Sequence, residues 1–459
     1  MQVQFCGANG EVTGSSHLLT IGARHILLDC GMIQGDEEIE RRNAEPFPFD
    51  PQRLDALILS HAHIDHIGRV PLLVKRGFRG PIYAQAATAD LSRIMLEDSA
   101  AIAESDIVRD NLKRLQQGLK PEQPLYTRKD AQAALEQVRP LAYDTALEIF
   151  PQVYLRLRDA GHILGSSVVE IWQDKGSKLV FSGDIGPRGT PILRDPAAID
   201  GADAVLMEST YGNRLHRSRS DTVAELGGIF AAARNSGGNV VIPAFAVGRS
   251  QELLYWMAEH FDDWQLGDFR IFLDSPMAGK VLAVYERHEE LFDTQARALW
   301  ARRPHPLRLP NLQVTESVAE SQAINQHRGG AIIIAGSGMC NGGRIRHHLR
   351  HHLGRHDAHI VFVGYQAQGT LGRLLVDGVK RVKLFGDTID VHAHRHTVGG
   401  LSAHADQAGL LDWYAAIGTR APVYLVHGED IAREALAEKL RTHFRCRVEL
   451  SMPGMQVLV

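Results

Sequence analysis

Short apolar runs broken by polar, glycine-rich turns fill the first part of the chain. The segments MQVQF, HLLTI and ARHILLD predict three early strands, separated by GANGEVTGSS and a GARH turn. LDALILS (54–60) is an unbroken apolar run, which predicts a buried strand, and it stops abruptly at HAHIDH. PIYAQ (81–85) predicts another strand. From about residue 86 to 140 the pattern turns helical and charged, most clearly in DLSRIMLEDSAAIAESDIVRDNLKRL. VYLRLRDAGHILGSSVVEIW (153–172) predicts two strands around a histidine-bearing loop, while KLVFSGD and AVLMEST each predict a strand that runs into an acid.

After about residue 212 strands and helices alternate. NVVIPAF precedes RSQELLYWMAEH, RIFLDSP precedes MAGKVLAVYERHEELF, and AIIIAGSGM precedes GGRIRHHLRHHL. That order predicts a doubly wound parallel sheet. The tail returns to the earlier style, with APVYLVHGED as a strand ending on His427. The expected layout is therefore a first domain over 1–209, an inserted α/β domain over 210–392, and a return to the first domain over 393–459.

A length of 459 residues suits two domains better than one core. Hydrophobic residues at 44% and charged residues at 23% mark a globular chain and exclude a disordered or fibrous one. The formal net charge of −4 excludes a globally basic nucleic-acid binder, so any polyanion must be met by a local patch. Cys6, Cys30, Cys340 and Cys446 form no CxxC pair. That excludes a disulfide framework and a four-thiolate zinc site, and it fits a reducing cytoplasm. The start shows no basic region followed by an apolar stretch, and no apolar run approaches the ~20 residues needed to span a bilayer. A cytoplasmic location, with no membrane partner, is expected. The excess lies in histidine, with 23 in the chain.

Their placement carries the chemistry. In His61-Ala62-His63-Ile64-Asp65-His66, imidazole and carboxylate supply the donors that zinc prefers. Alternate residues of an extended loop point the same way, so His61 and His63 can share one ion while Asp65 and His66 turn toward a second. Four ligands cannot fill two sites. Further candidates are His162 in DAGHILGSS, Asp184 in FSGDIG and His427 in LVHGED, each at an apolar strand end beside small residues. Taken singly each is an ordinary loop residue; their shared position is the signal.

HAHIDH, preceded by LLDCG and followed in order by GHILGS and SGD, resembles the metallo-β-lactamase fold. MEST, LSAHAD and LVHGE resemble motifs A, B and C of its β-CASP nuclease branch, which includes the endonuclease of eukaryotic pre-mRNA 3′-end cleavage and its bacterial and archaeal relatives. The resemblance spans nearly the whole chain and implies an αββα sandwich interrupted by an α/β β-CASP domain. It implies two zinc ions: one held by His61, His63 and His162, the other by Asp65, His66 and His427. Asp184 would bridge them, its two oxygens suiting ions about 3.5–4 Å apart. Asp29 in LLDCG is either a carboxylate that orients the HAHIDH loop or an ordinary turn residue before Gly31. No expected metal position is substituted.

The same resemblance implies hydrolysis of phosphodiesters by a metal-activated hydroxide, leaving a 5′-phosphate and a 3′-hydroxyl. His404 in LSAHAD would be the general acid, or else a further ligand or a surface histidine. Glu208 in MEST would keep that imidazole protonated. Chemistry alone does not separate RNA from DNA, but RNA-cutting members of this branch carry histidine at motif C, where His427 stands. Single-stranded RNA, cut internally in processing or decay, is the expected substrate, and a homodimer is one possible assembly.

For phosphate contacts the sequence offers two strand-to-helix loops, GSGMCNGGR (336–344) and AVGRSQ (246–251), with Arg249, Ser337 and Arg344 as candidates. Both resemble β-CASP segments lining the cleft between domains. Residues 341–396 also carry nine Lys and Arg against four Asp, either a phosphate-binding patch or a solvated face. GSGMCNGG lacks the spacing of a dinucleotide fingerprint, and no GxSxG elbow appears. Two other readings compete with the nuclease. A thioester or lactone hydrolase would share the metal core but leave the inserted domain without a task. A non-catalytic RNA-binding subunit would not need intact ligands.

Overall fold

The computed structural model describes residues 1–35, 37–364, 366 and 369–459. They divide into two compact units. The first comprises 1–190, 194–215 and 404–459, and the second comprises 191–193 and 216–403.

The first unit is built on two seven-stranded sheets. In one, Gln456–Leu458, Gln2–Gly7, Ser16–Ile21 and Arg24–Leu28 run antiparallel, and Ala56–Ile58, Ile82–Gln85 and Val138–Leu141 then continue parallel. In the other, Val448–Leu450, Val423–Leu425, Ala204–Met207 and Lys178–Phe181 are parallel, and Ser167–Gln173, Val153–Asp159 and Leu147–Phe150 extend it antiparallel. Alternating burial in Gln2–Gly7 and Val153–Asp159 turns Val3, Phe5, Leu155 and Leu157 into one core shared by both sheets. A second core lies on the outer face of the latter sheet, where Val205, Met207 and Leu425 meet helices Gln407–Ala416 and Asp430–Phe444 through Leu410, Trp413 and Leu436. Helices Val70–Lys75 and Arg128–Leu135 pack together beside the first sheet with Ala86–Gln116. The unit is thus a four-layer αββα sandwich.

Two strands differ from the sequence reading. Val138–Leu141 lies inside the stretch expected to be helical, because the helical periodicity ends with Ala86–Gln116 and Arg128–Leu135. Leu147–Phe150 is a half-buried edge strand with too little apolar signal to stand out.

The second unit holds an all-parallel six-stranded sheet in the order Leu312–Val314, Arg270–Asp274, Ala331–Ala335, Val240–Pro243, His359–Phe362 and His394–Thr397. Ala331–Ala335 and Val240–Pro243 are buried at every position, as strands covered on both faces are. The α/β alternation seen in the sequence is this sheet with its crossover helices. Among the described residues, no helix is long and apolar enough to cross a membrane.

Candidate metal centre

Parallel strands deliver their following loops to one end of a sheet. HAHIDH follows Ala56–Ile58, Asp184 follows Lys178–Phe181, Glu208 follows Ala204–Met207 and His427 follows Val423–Leu425. His162 enters from the hairpin between Val153–Asp159 and Ser167–Gln173. The two sheets are tied at this point by Ser167 N–H donating to Ser60 O at 2.8 Å. Close backbone approach is built in at Gly31, where a Cβ would stand 1.6 Å from Asp65 O. Gly186 is equally constrained, with Gly161 O at 1.7 Å from a built Cβ.

Two donor groups result. Ligand atoms of His61, His63, His162 and Asp184 lie within 4.8 Å of one another, and so do those of Asp65, His66 and His427. Asp184 is central. Its Oδ2 lies 3.4 Å from His61 Nε2, 3.3 Å from His66 Nε2 and 3.6 Å from His162 Nε2. Its Oδ1 is 3.5 Å from His427 Nδ1.

Asp29 works behind these ligands. Fully buried, it receives His66 Nδ1 at 2.7 Å, the Ser60 amide at 2.7 Å and the Ser60 hydroxyl at 2.8 Å. With its proton committed to Asp29, the Ser60 hydroxyl accepts from His61 Nδ1 at 3.1 Å. One carboxylate therefore sets the tautomer of two histidines and leaves Nε2 of each facing the centre. Thr210 Oγ1 does the same at 3.0 Å from His427 Nδ1. Ser60 and Thr210 escaped the sequence reading, since a hydroxyl at a strand end carries no distinctive signal.

The donors fit metal ions. His63 Nδ1 meets both His61 Nε2 at 3.0 Å and His162 Nε2 at 3.1 Å. One imidazole proton serves only one of those contacts, so a cation is the natural occupant of the three-nitrogen cluster. Asp184 Oδ1 is buried with no hydrogen-bond partner among the described residues, which suits a carboxylate awaiting a cation. Burial, then the neighbouring His66 charge, pushes His61 well below its ordinary value; burial holds His63 down at about 4. Burial would raise Asp184, but His427, His66 and His61 keep it ionised, well below the carboxylate range. These are the protonation states that metals require. His66 is the exception: burial would lower it, but Asp184 and Asp29 outweigh this, so metal binding must release its proton. Asp29→Asn, which loses the negative charge and keeps one acceptor oxygen where the carboxylate uses two, is expected to weaken metal affinity ~10–100-fold in a chelator competition.

His404 adjoins this cluster. Its Nδ1 is 3.2 Å from Glu208 Oε1 and 3.9 Å from Asp184 Oδ2, and its ring centroid is 4.5 Å from that of His162. Burial alone would depress it, but Glu208 and then Asp184 hold it up at about 9. Glu208 is held by the chain on both oxygens: Ile185 N–H donates to Oε1 at 2.7 Å and Thr210 N–H to Oε2 at 3.2 Å. Although its carboxylate also lies within 4.8 Å of Asp184 and His427 ligand atoms, these bonds suit orienting His404 better than binding metal.

Three family models match this chain. The chain matches the metallo-beta-lactamase superfamily over residues 9–228, the Beta-Casp domain over 250–375 and the Zn-dependent metallo-hydrolase RNA specificity domain over 388–451. It is 42% identical to Ribonuclease TTHA0252 of Thermus thermophilus, across 96% of both chains. The chain belongs to the metallo-β-lactamase superfamily, in its β-CASP branch. Transcription termination factor FttA of Methanosarcina mazei is 30% identical, over 96% of this chain and 69% of that relative. FttA of Thermococcus kodakarensis is 31% identical, over 93% and 67%. A solved structure of a protein of unknown function from Enterococcus faecalis V583 has the same fold, with a TM-score of 0.57 at 13% identity over 100% of this chain and 99% of that one. This β-CASP protein is a hydrolytic enzyme with a dinuclear metal centre.

The phosphate candidates lie in the second unit, and there the structure changes the picture. Arg249 begins helix Arg249–Glu259, is buried, and is ion-paired with Glu252. Arg344 donates to Asp274 Oδ1 at 2.7 Å and to Glu316 O at 2.7 Å. Neither guanidinium offers a free charge. Ser337 follows strand Ala331–Ala335 and exchanges 3.3–3.4 Å contacts with Gly342 across its loop. In the basic stretch, four of the nine Lys and Arg are paired with its own acids, so its net charge stays positive. Arg350 pairs with Asp387, Arg355 with Asp357, Arg373 with Asp377 and Arg381 with Asp390, which occupies all four of its acids.

Proposed function

We propose that this enzyme is a zinc-dependent ribonuclease that cuts single-stranded RNA internally, in RNA processing or decay, leaving a 5′-phosphate and a 3′-hydroxyl. The carrying observation is the placement of a Glu208-held His404 beside two donor groups that share Asp184. The relative named a ribonuclease supports the choice of RNA. His61, His63 and His162 would hold one zinc and Asp65, His66 and His427 the other, with Asp184 bridging. When bound, such a pair supplies Lewis acidity at phosphorus and a hydroxide-equivalent nucleophile at neutral pH.

The chain's own residues do the rest. As the P–O3′ bond breaks, O3′ needs a proton, and His404 is the proton donor. Glu208 keeps His404 charged and turned inward until then, and Asp29, Ser60 and Thr210 hold the donor imidazoles in their working tautomers. Ser337 and the amide groups of its loop are the proposed phosphate contacts in the second unit, with Arg344 anchoring that loop to Asp274 and Glu316.

A denaturing gel of 5′-labelled single-stranded RNA, with and without a chelator, tests this. Internal cuts abolished by the chelator are expected. Mononucleotide released from the labelled end would replace internal cutting by 5′→3′ exonuclease action. Intact RNA with two zincs bound would overturn the ribonuclease reading in favour of a small-molecule hydrolase.

A further inference from the structure

Directly after Glu208 the chain runs through Ser209-Thr210-Tyr211-Gly212-Asn213-Arg214, and this loop is tied down along its length. Ser209 N–H donates to His427 O at 3.1 Å, Gly212 N–H to Ser209 O at 3.0 Å and Arg214 N–H to Tyr211 O at 3.3 Å. Gln407, three residues beyond His404, donates its backbone N–H to Arg214 O at 3.1 Å and its side-chain amide to Gly212 O at 2.6 Å. Gly212 leaves no space around itself, since a Cβ there would stand 2.4 Å from Ala432 O. The loop is thereby fixed to the segment that carries His404, within the first unit.

Arg214 projects from this fixed loop with its charge uncompensated. Its side chain is exposed, its Nε donates to Asn213 Oδ1 at 3.1 Å, and no carboxylate pairs with it among the described residues. Its guanidinium carbon lies 5.5 Å from the centroid of the Tyr211 ring, a cation–π contact. That ring is 6.1 Å from the ring of His404. Stacking on Tyr211 restricts a side chain that would otherwise lose much rotamer freedom on binding, and it leaves the two terminal nitrogens as a fork suited to phosphate oxygens. Arg249 and Arg344 differ in that carboxylates already hold their charges. We propose that Arg214 binds a backbone phosphate of the RNA beside the cut, a contact that rests on the ribonuclease reading above. His404 faces the departing O3′, so the phosphate that Arg214 meets lies on the 5′ side of the cut.

Steady-state cleavage of a short single-stranded RNA with one mapped cut, by the full metal-loaded enzyme, tests the proposal. Arg214→Gln is expected to raise KM ~10-fold, the scale of one charge-assisted phosphate contact, with the loss in kcat/KM carried by KM. The log–log dependence of KM on salt should become shallower by about 0.7, the share of one phosphate on a single strand. Arg214→Lys, which keeps the charge, should keep the wild-type slope. An uncharged methylphosphonate at the contacted phosphate should slow the wild-type enzyme as much as Arg214→Gln does and slow the variant no further. Unchanged KM and slope in Arg214→Gln, or methylphosphonate losses that add to those of the variant at every position beside the cut, overturns the contact and leaves the ribonuclease reading standing. Loss of metal or a lowered thermal midpoint in Arg214→Gln would make Arg214 a structural residue instead. RNA left uncut by the wild-type enzyme with two metals bound overturns the ribonuclease reading, and this contact with it.

Discussion

Asp184→Ala is expected to strip metal from both groups at once and to lower the hydrolytic rate by more than about 10³-fold, the scale of losing several kcal/mol of charge stabilisation. The reason is geometric. Its Oδ2 lies within 3.6 Å of His61, His66 and His162, and its Oδ1 within 3.5 Å of His427, contacts to both groups that no other carboxylate among the described residues makes in the same way. Alanine leaves six other candidate ligands in place but brings their imidazoles together without a central anion. Metal analysis after gel filtration gives the direct readout. Two metals retained per chain would show that Asp184 is not the bridge.

His404→Ala is expected to separate from that result. Turnover should fall at least ~10²-fold, the low end for losing a general acid, while both metals stay bound. Loss of metal from this variant would make His404 a ligand instead. Glu208→Gln adds a pH signature. Burial disfavours the charged imidazole, and the Glu208 carboxylate is the main influence opposing it. Removing that charge lowers the pKa of His404. A general acid is active below its pKa and lost above it, so the alkaline limb of the rate profile should move to lower pH in Glu208→Gln. Bound cations act in the same direction on His404, so the wild-type limb should itself fall below about 9. An unshifted limb in Glu208→Gln would mean that another group supplies the proton.

The metal-binding hexapeptide was legible in the sequence because four donors stand within six residues, directly after an apolar run that could only be a buried strand. His162, Asp184 and His427 were legible as strand-end residues, and the resemblance ordered them. The supporting contacts were not. Ser60 gains its role by touching Asp29, 31 residues earlier, and Thr210 by touching His427, 217 residues later. Neither separation leaves a mark in local pattern.

Charge shows the other side of this. A sequence displays each arginine but not its partner, so Arg344 looked available until the fold brought Asp274, 70 residues away, to 2.7 Å. In the stretch 341–396 each of the four acids pairs with an arginine, which leaves five of its nine basic residues without an acid from the stretch itself. Composition counts charges; only packing pairs them.

By itself, then, the sequence determined the alternation of apolar runs, and with it the inserted parallel sheet and the donors at strand ends, because backbone hydrogen bonding and burial act on local periodicity; the sandwich was implied by the resemblance. The tertiary structure decided which nitrogen of each histidine faces the centre and which arginines are already engaged. Those outcomes depend on distances between residues far apart in the chain, and such distances exist only once the layers have packed.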